Sequence, residues 1–271
     1  MTQPEEAELQ VRSIDPLPIL NDLLDRRYEL GGADENTPIG RLANQMLYFV
    51  INREIQFGYM VQTQLRLLAQ NLTEVRDANP AAYVDLRNRI RDADSMDAFE
   101  AARFELNIAA RLARSAVLFL KTEAPDFSLK NDHETYGIEC TSVHVVYGHR
   151  DDISYKIEAT ALKKSKKGYC TGATALFIDA TEYFHRGIAR ETLQSDDGLR
   201  SLLRNTLDRY AFGSLCLFVF VWRWHGSYGE LTQQHLRQDG QSIAPTLRRM
   251  LDAYWPFGHE VLSNFAIPGN G

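Results

Sequence analysis

The sequence has few cysteines and no long apolar run, and both shortages exclude whole classes of protein. Only three of its 271 residues are cysteines, and none belongs to a CxxC pair. A disulfide framework or a zinc site of paired cysteines is therefore not expected, and buried free thiols in a reducing compartment are the favoured interpretation. The longest apolar runs, such as "LCLFVFVW" at 215–222, are far too short to span a membrane.

Positive charge is also in short supply, and the common nucleotide-binding motifs are missing. The net charge is -6 and the isoelectric point is near 5.7, so any contact with nucleic acid must come from a local basic patch. Neither a P-loop nor a GxGxxG motif is found, so nucleotide hydrolysis and dinucleotide binding lack support. The first ten residues, "MTQPEEAELQ", are acidic and polar, unlike a signal peptide. We therefore expect a cytoplasmic protein with no membrane contact.

The order of the predicted elements indicates an α/β fold that follows an all-helical beginning. Apolar periodicity and capping residues predict helices over 15–30, 37–78, 80–93, 95–115, 151–169, 196–211 and 242–255. Strands are predicted over 116–121, 126–130, 136–146, 174–181 and 214–222. Thr37 is the expected N-cap of the second helix, and Gly58 is a candidate interruption within it. Continuous apolar strands joined through helices imply a mixed sheet covered on both faces.

The stretch "APDFSLKNDHETYGIECTSV" at 124–143 places one acidic residue in each of two predicted strands. Asp126 begins the first strand and Glu139 lies inside the second, although acids are poor strand formers. Side chains alternate across a strand, so Glu139 and Thr141 share one face. If the two strands form a hairpin, both carboxylates can converge on one spot.

A third acid, Glu105, lies on the helix before these strands. Its neighbours three and four positions away are apolar, so we expect it to face the sheet and to need a partner there. Together Glu105, Asp126 and Glu139 would offer hard oxygen ligands suited to Mg²⁺ or Mn²⁺. The ordinary alternatives are a solvated helix glutamate, a turn aspartate and an edge-strand or ion-paired glutamate.

The predicted helix at 151–169 is rich in lysine. Lys164 interrupts an otherwise apolar stripe, so we expect it to point toward the sheet and the carboxylates. A lysine there could orient an attacking water or stabilise a pentavalent phosphorus centre. A surface lysine whose charged end reaches solvent is the competing interpretation. The lysines of a neighbouring stripe could contact a phosphate backbone; they are Lys156, Lys163 and Lys167.

These motifs, in this order, resemble the PD-(D/E)XK nuclease superfamily, also called restriction-endonuclease-like. The resemblance covers about 95–222 and runs through "FELNIAARLARS", "PDFSLK", "GIECTSV", the lysine-rich helix and "ALFIDAT". Pro125-Asp126 matches the PD pair, Glu139 the second acid and Glu105 the helix acid. Thr141 stands where the family motif has its lysine. Some members carry that lysine on the following helix, so the resemblance points to Lys164.

The pattern of predicted elements and the resemblance together divide the chain into three segments. They are an all-helical N-terminal region at 1–94, a restriction-endonuclease-like core at 95–225 with a mixed sheet flanked by helices, and a C-terminal tail at 226–271 with one helix. The resemblance also implies a nuclease that hydrolyses phosphodiester bonds of DNA or RNA. Mg²⁺ or Mn²⁺ would be held by Glu105, Asp126 and Glu139, with Lys164 assisting. The helical region is expected to support a homodimer or a protein partner.

The alternative is a nuclease-like fold without catalytic activity that binds nucleic acid or protein. Thr141 in the lysine position and the negative net charge favour this alternative.

Overall fold

The computed structural model describes residues 15–32, 36–130, 134–145, 153–185, 196–225, 228–256 and 258–266. It is an α/β structure with a mixed sheet and a helical N-terminal region, as predicted. The chain divides into two compact units. The first holds Met1–Ala110, Trp222–Leu231 and Val261–Gly271, and the second holds Arg111–Val221 and Thr232–Glu260.

The first unit is built from helices whose ends follow their capping residues. They are α1 (Leu17–Leu24), α2 (Pro38–Ile51), α3 (Ile55–Ala78), α4 (Pro80–Arg91) and, as far as Ala110, α5 (Met96–Arg114). Thr37 caps α2 as predicted, since its hydroxyl accepts from the Gly40 amide at 3.1 Å. Asn79 caps α4 in the same way, accepting from Ala82 at 3.1 Å. Buried leucines fill the space between these helices.

Two predicted helix boundaries in this unit were wrong. Helix α1 ends at Leu24, well before the glycines at 31 and 32, because Asp25 adopts a left-handed conformation with φ of 50°. The predicted helix at 37–78 is two helices, and the break falls near Arg53, which is also left-handed with φ of 61°. Gly58 lies inside α3 instead, where an added Cβ would stand 3.1 Å from a Val50 methyl group.

The sheet takes its seven strands in chain order. They are β1 (Phe119–Lys121), β2 (Phe127–Lys130), β3 (Thr135–Ser142), β4 (Thr174–Asp179), β5 (Ser214–His225), β6 (Tyr228–Asp239) and β7 (Gly258–Ala266). The first three strands are antiparallel, whereas β4 runs parallel to β3 and β5 parallel to β4. Parallel neighbours need a crossover, and here the crossovers contain α6 (Ile153–Ser165), then α7 (Thr181–His185) and α8 (Asp196–Arg209).

The C-terminal segment contains more than the single helix predicted for it. Besides α9 (Pro245–Tyr254), it supplies β6 and β7 to the sheet. Strand β6 escaped prediction because it buries polar side chains, which break an apolar strand pattern. Its Arg237 is only 2% exposed and bonds Asp239 and Asp252, at 2.7 Å in each case. Three residues at predicted element ends lie outside the described residues, namely Val146, Asp151 and Asp152.

The core of the second unit fixes α6 against one face of the sheet. Residues of α6 and α8 pack there on the inner strands; the set includes Ile153, Ile157, Ala161, Leu203, Leu176, Ile178, Leu215 and Leu217. Each leucine or isoleucine of this set contributes about 1.5–3 kcal/mol when it is fully buried. A one-residue slip of β3 would exchange the faces occupied by Glu139 and by its neighbours Ile138 and Cys140, so the register is strongly specified. No helix in the described part of the chain has the length and apolarity to cross a membrane.

Candidate functional site

Glu139 lies within β3 and is only 3% exposed. It shares a strand face with Val143, which belongs to the same core cluster as the buried side chains of α6. Lys164, near the C-terminal end of α6, donates a hydrogen bond from Nζ to Oε1 of Glu139. The structure therefore brings Lys164 to one of the two predicted strand carboxylates.

Asp126 stands beside Glu139 at the start of the neighbouring strand. Phe127 pairs with Ile138 in the β2–β3 ladder, so one further step of the register places Asp126 opposite Glu139. Residues in such positions have Cβ atoms about 5 Å apart. Asp126 Oδ2 accepts from the Cys140 amide at 2.8 Å, which ties its carboxylate to β3. The predicted hairpin thus joins the two acids.

Pro125 rests directly on β3 at Gly137. An added Cβ at Gly137 would lie 2.5 Å from Cγ of Pro125, which is far inside normal contact distance. Glycine weakens a strand interior, and its usual justification is a close approach of another segment. Here the absence of a side chain lets the proline of the "PD" pair sit on the neighbouring strand. Gly137 therefore helps to position Asp126.

Lys121 at the end of β1 is a member of this cluster that the sequence analysis did not identify. Its side chain is 8% exposed, and its Nζ lies 3.2 Å from Oδ1 of Asp126. The same Nζ lies 5.4 Å from the centre of the Phe127 ring. The sequence contains a signal for this contact, because Lys121 ends an apolar strand four residues before the proline of the "PD" pair. A lysine that is buried there needs an acidic partner.

The electrostatic environment of Glu139 disfavours its charged form. Burial raises the pKa of this carboxyl, the negative charge of Asp126 raises it further, and Lys164 opposes the change. Oε2 of Glu139 is buried and has no hydrogen-bond partner within the described residues. A buried carboxylate oxygen in this state is a position where an additional positive charge would be stabilising.

Two further groups line the cluster where the chain leaves α6. Burial, and then the charge of Glu139, raises the pKa of the Tyr169 hydroxyl. The same two causes raise the pKa of the Cys170 thiol to about 11. Tyr169 therefore keeps its proton near neutral pH. Cys170 stays a neutral thiol, so it is a poor nucleophile.

Glu105 forms an ion pair with Arg89. It lies in the first unit on α5, is 5% exposed as predicted for an inward-facing acid, and is bonded by Arg89 of α4. Both guanidinium Nη atoms take part, one to each carboxylate oxygen, and the Nη2–Oε1 distance is 2.7 Å. Across the described ranges, no three His, Cys, Asp or Glu side chains form a group that could hold a metal ion. A role for Glu105 as a metal ligand stays a prediction.

The remaining predicted residues lie on the α6 side of the sheet. Thr141 is half-buried and pairs with Ile178 in the β3–β4 ladder. Lys163 and Lys167 are exposed, whereas Lys156 is half-buried. No family model matches the chain, and no curated protein or solved structure matches it. Any functional proposal therefore depends on the residues and their geometry.

Proposed function

We propose that the protein is a metal-dependent nuclease in which Asp126 and Glu139 hold Mg²⁺ or Mn²⁺ and Lys164 assists the hydrolysis of a phosphodiester bond. One observation carries the proposal. The buried Glu139 has Lys164 on one oxygen and no partner on the other among the described residues, with Asp126 opposite it. The "PD" hairpin, the second acid and the lysine on the following helix agree with the superfamily resemblance.

The two carboxylates fit a magnesium ion. Mg²⁺ commonly takes one or two protein carboxylates and completes its shell with waters and substrate phosphates. Oε2 of Glu139 and the carboxylate of Asp126 supply that number of ligands without Glu105. When bound, the ion would neutralise charge on the phosphate and lower the pKa of a coordinated water.

The protein's own groups orient the reacting atoms. Lys121 and the Cys140 amide hold the two oxygens of Asp126, so that carboxylate is fixed before substrate binds. Lys164 keeps its ammonium at the edge of the carboxylate pair, where it can donate to a non-bridging oxygen of the scissile phosphate. Tyr169 stays protonated, so it adds no negative charge beside Glu139.

Cleavage assays with matched variants test this proposal. Supercoiled plasmid, single-stranded DNA and RNA would be incubated with the protein in Mg²⁺, Mn²⁺ or EDTA. We expect cleavage only with metal, and a loss of about a thousandfold or more in Asp126→Asn and Glu139→Gln. Lys164→Met should lose about a hundredfold.

Glu158→Gln is the matched control, because Glu158 also lies on the α6 side but pairs with Arg209 at 3.1 Å. It should cut at the normal rate. A wild-type protein that cuts none of the three substrates, or Asp126 and Glu139 variants that cut normally, would contradict the proposal.

A second candidate is a non-catalytic module that binds nucleic acid or protein through the same fold. It is favoured by Thr141 in the motif lysine position. It is also favoured because each carboxylate already pairs with a lysine of its own, one on β1 and one on α6. In that case the wild-type protein would bind its partner without cutting nucleic acid, and Mg²⁺ would leave its melting temperature unchanged.

A further inference from the structure

The outward face of α6 carries large apolar side chains that the core does not use. Tyr155 is 63% exposed and Leu162 is 43% exposed. They are seven residues apart, so they lie on one stripe of the helix, opposite the buried face formed by Ile153, Ile157 and Ala161. An exposed aromatic ring on a helix that is already anchored by its other face is available to a ligand.

A cluster of lysines lies at the C-terminal end of the same stripe. Residues 153–169 contain five lysines and one glutamate, in a chain whose net charge is -6. Lys164 bonds Glu139, and Glu158 bonds Arg209. Lys163, Lys166 and Lys167 are exposed, and none of the three has an acidic partner within the described ranges. This is the local basic patch that an acidic protein needs in order to bind a polyanion.

The C-terminal end of the stripe is next to residues of the candidate site in the chain. Lys163 and Lys166 flank Lys164, whose Nζ bonds Glu139, and Tyr169 follows two residues after Lys167. From Tyr155 to Lys163 the helix rises by about 12 Å at 1.5 Å per residue. That length corresponds to roughly three stacked nucleotides at about 3.4 Å each. A strand lying along the stripe would therefore reach the end of α6 at which Lys164, on the opposite face, turns inward to Glu139.

We propose that this stripe, consisting of Tyr155, Leu162, Lys163, Lys166 and Lys167, binds a single strand of nucleic acid. One unpaired base stacks on Tyr155, and the lysines contact successive phosphates on the way to the end of α6 that carries Lys164. Stacking on an exposed ring requires a base face that a duplex keeps covered, which is why a single strand fits better than a duplex. The proposal rests on the nuclease function proposed above and defines its substrate.

Fluorescence anisotropy in EDTA tests the stripe without cleavage. The probes are labelled 12-mers of oligo-dT and oligo-U and a labelled 12-base-pair duplex, titrated with the full-length protein over a salt series. We expect both single strands to bind at least tenfold more tightly than the duplex. Tyr155→Ala should weaken single-strand binding about tenfold or more, and Tyr155→Phe should retain it, because stacking needs only the ring.

The lysines have a separate readout. Replacing Lys163, Lys166 and Lys167 together by alanine should reduce the slope of log K against log salt concentration by about 2, since each of the three phosphate contacts with a single strand contributes about 0.7. Tyr48→Ala is the matched control, because Tyr48 is a similarly exposed tyrosine, at 59%, on α2. Melting curves of all variants would confirm folding, which these exposed positions should not affect.

The outcomes separate this proposal from the proposed function. Absence of strand binding, equal binding of the duplex, or normal binding by Tyr155→Ala would overturn the stripe, and so would poly-glutamate competing as well as oligo-dT. Single strands that bind through Tyr155 but are not cut after Mg²⁺ is added would leave the stripe intact and overturn the nuclease. If Tyr155→Ala and the triple lysine variant both cleave single strands at the wild-type rate, the nuclease proposal stands and the stripe is overturned.

Discussion

Glu105 and Glu139 are both buried glutamates on largely apolar faces, exposed by 5% and 3% respectively, but their partners differ. Arg89 contacts both oxygens of Glu105. Lys164 contacts one oxygen of Glu139, while the other has no hydrogen-bond partner within the described residues. The first acid belongs to the helical unit and the second to the sheet unit.

The difference follows from the shapes of the two cations. A guanidinium presents a planar fork that matches both oxygens of a carboxylate, whereas an ammonium is a point charge that satisfies one. Glu139 also has Asp126 nearby, whose negative charge adds to the effect of burial in raising the pKa of Glu139. Burial of an acid is therefore a weak functional signal. An acid buried beside a second acid, with one oxygen unsatisfied, is a stronger one.

The largest effect should come from removing the guanidinium of the satisfied pair. Arg89→Ala leaves Glu105 buried without this partner, and we expect the free energy of unfolding, measured in urea, to fall by about 3 kcal/mol. Adding Glu105→Gln should recover part of that loss, because no buried charge then lacks its counter-ion. Cleavage by the folded Arg89→Ala protein should be normal. Loss of cleavage without loss of stability would instead place Glu105 in the metal site.

Crowding the "PD" proline should have the next largest effect, and it changes no charge. Gly137→Ala puts a methyl group against Pro125, and we expect a loss of about 2 kcal/mol in unfolding free energy together with reduced cleavage. Gly168→Ala is the matched control, since, apart from the two neighbours in the chain, no group of the described residues lies within 4 Å of an added Cβ there. Normal cleavage by a folded Gly137→Ala protein would show that the position of Asp126 does not depend on this contact.

Magnesium should distinguish the two glutamates more directly. At ten times the dissociation constant, a ligand that binds only the folded state adds about 1.4 kcal/mol, which corresponds to a few degrees of melting temperature for a chain of this size. We expect that rise in the wild-type protein and in Glu105→Gln. It should be absent in Glu139→Gln. An equal rise in all three proteins, measured by scanning fluorimetry, would exclude Glu139 as a ligand.

The smallest effect should appear in the pH dependence of stability. Because the pKa of Glu139 is raised in the folded protein, the native state binds this proton more tightly than the unfolded state does. Its contribution to stability is complete below the ordinary glutamate range and is lost as pH rises through the raised pKa. In metal-free buffer, Glu139→Gln should therefore gain stability relative to wild type as pH approaches neutrality. If the difference in urea midpoint between Glu139→Gln and wild type stays the same at every pH, this expectation is contradicted.

The predictable parts of the fold were those with local signals. Thr37 and Pro38 mark the start of α2, and continuous apolar runs mark β4 and β5, because capping and burial leave a pattern in neighbouring residues. Strand β6 carries no such pattern, since Arg237 inside it is buried by pairing with Asp239 and Asp252. The left-handed residues Asp25 and Arg53 end helices without glycine, so nothing in the residue types marks those positions.

The sequence by itself determined the juxtaposition of Asp126 and Glu139 and the inward direction of Lys164. These relations depend on strand alternation, a short hairpin and helical periodicity, all of which are set by residues close together in the chain. Only the tertiary structure decided that Arg89 holds Glu105, that Lys121 holds Asp126 and that one oxygen of Glu139 is left without a bond within the described residues. Such pairings depend on how separate elements pack, because a buried charge takes whichever partner the packing brings within reach.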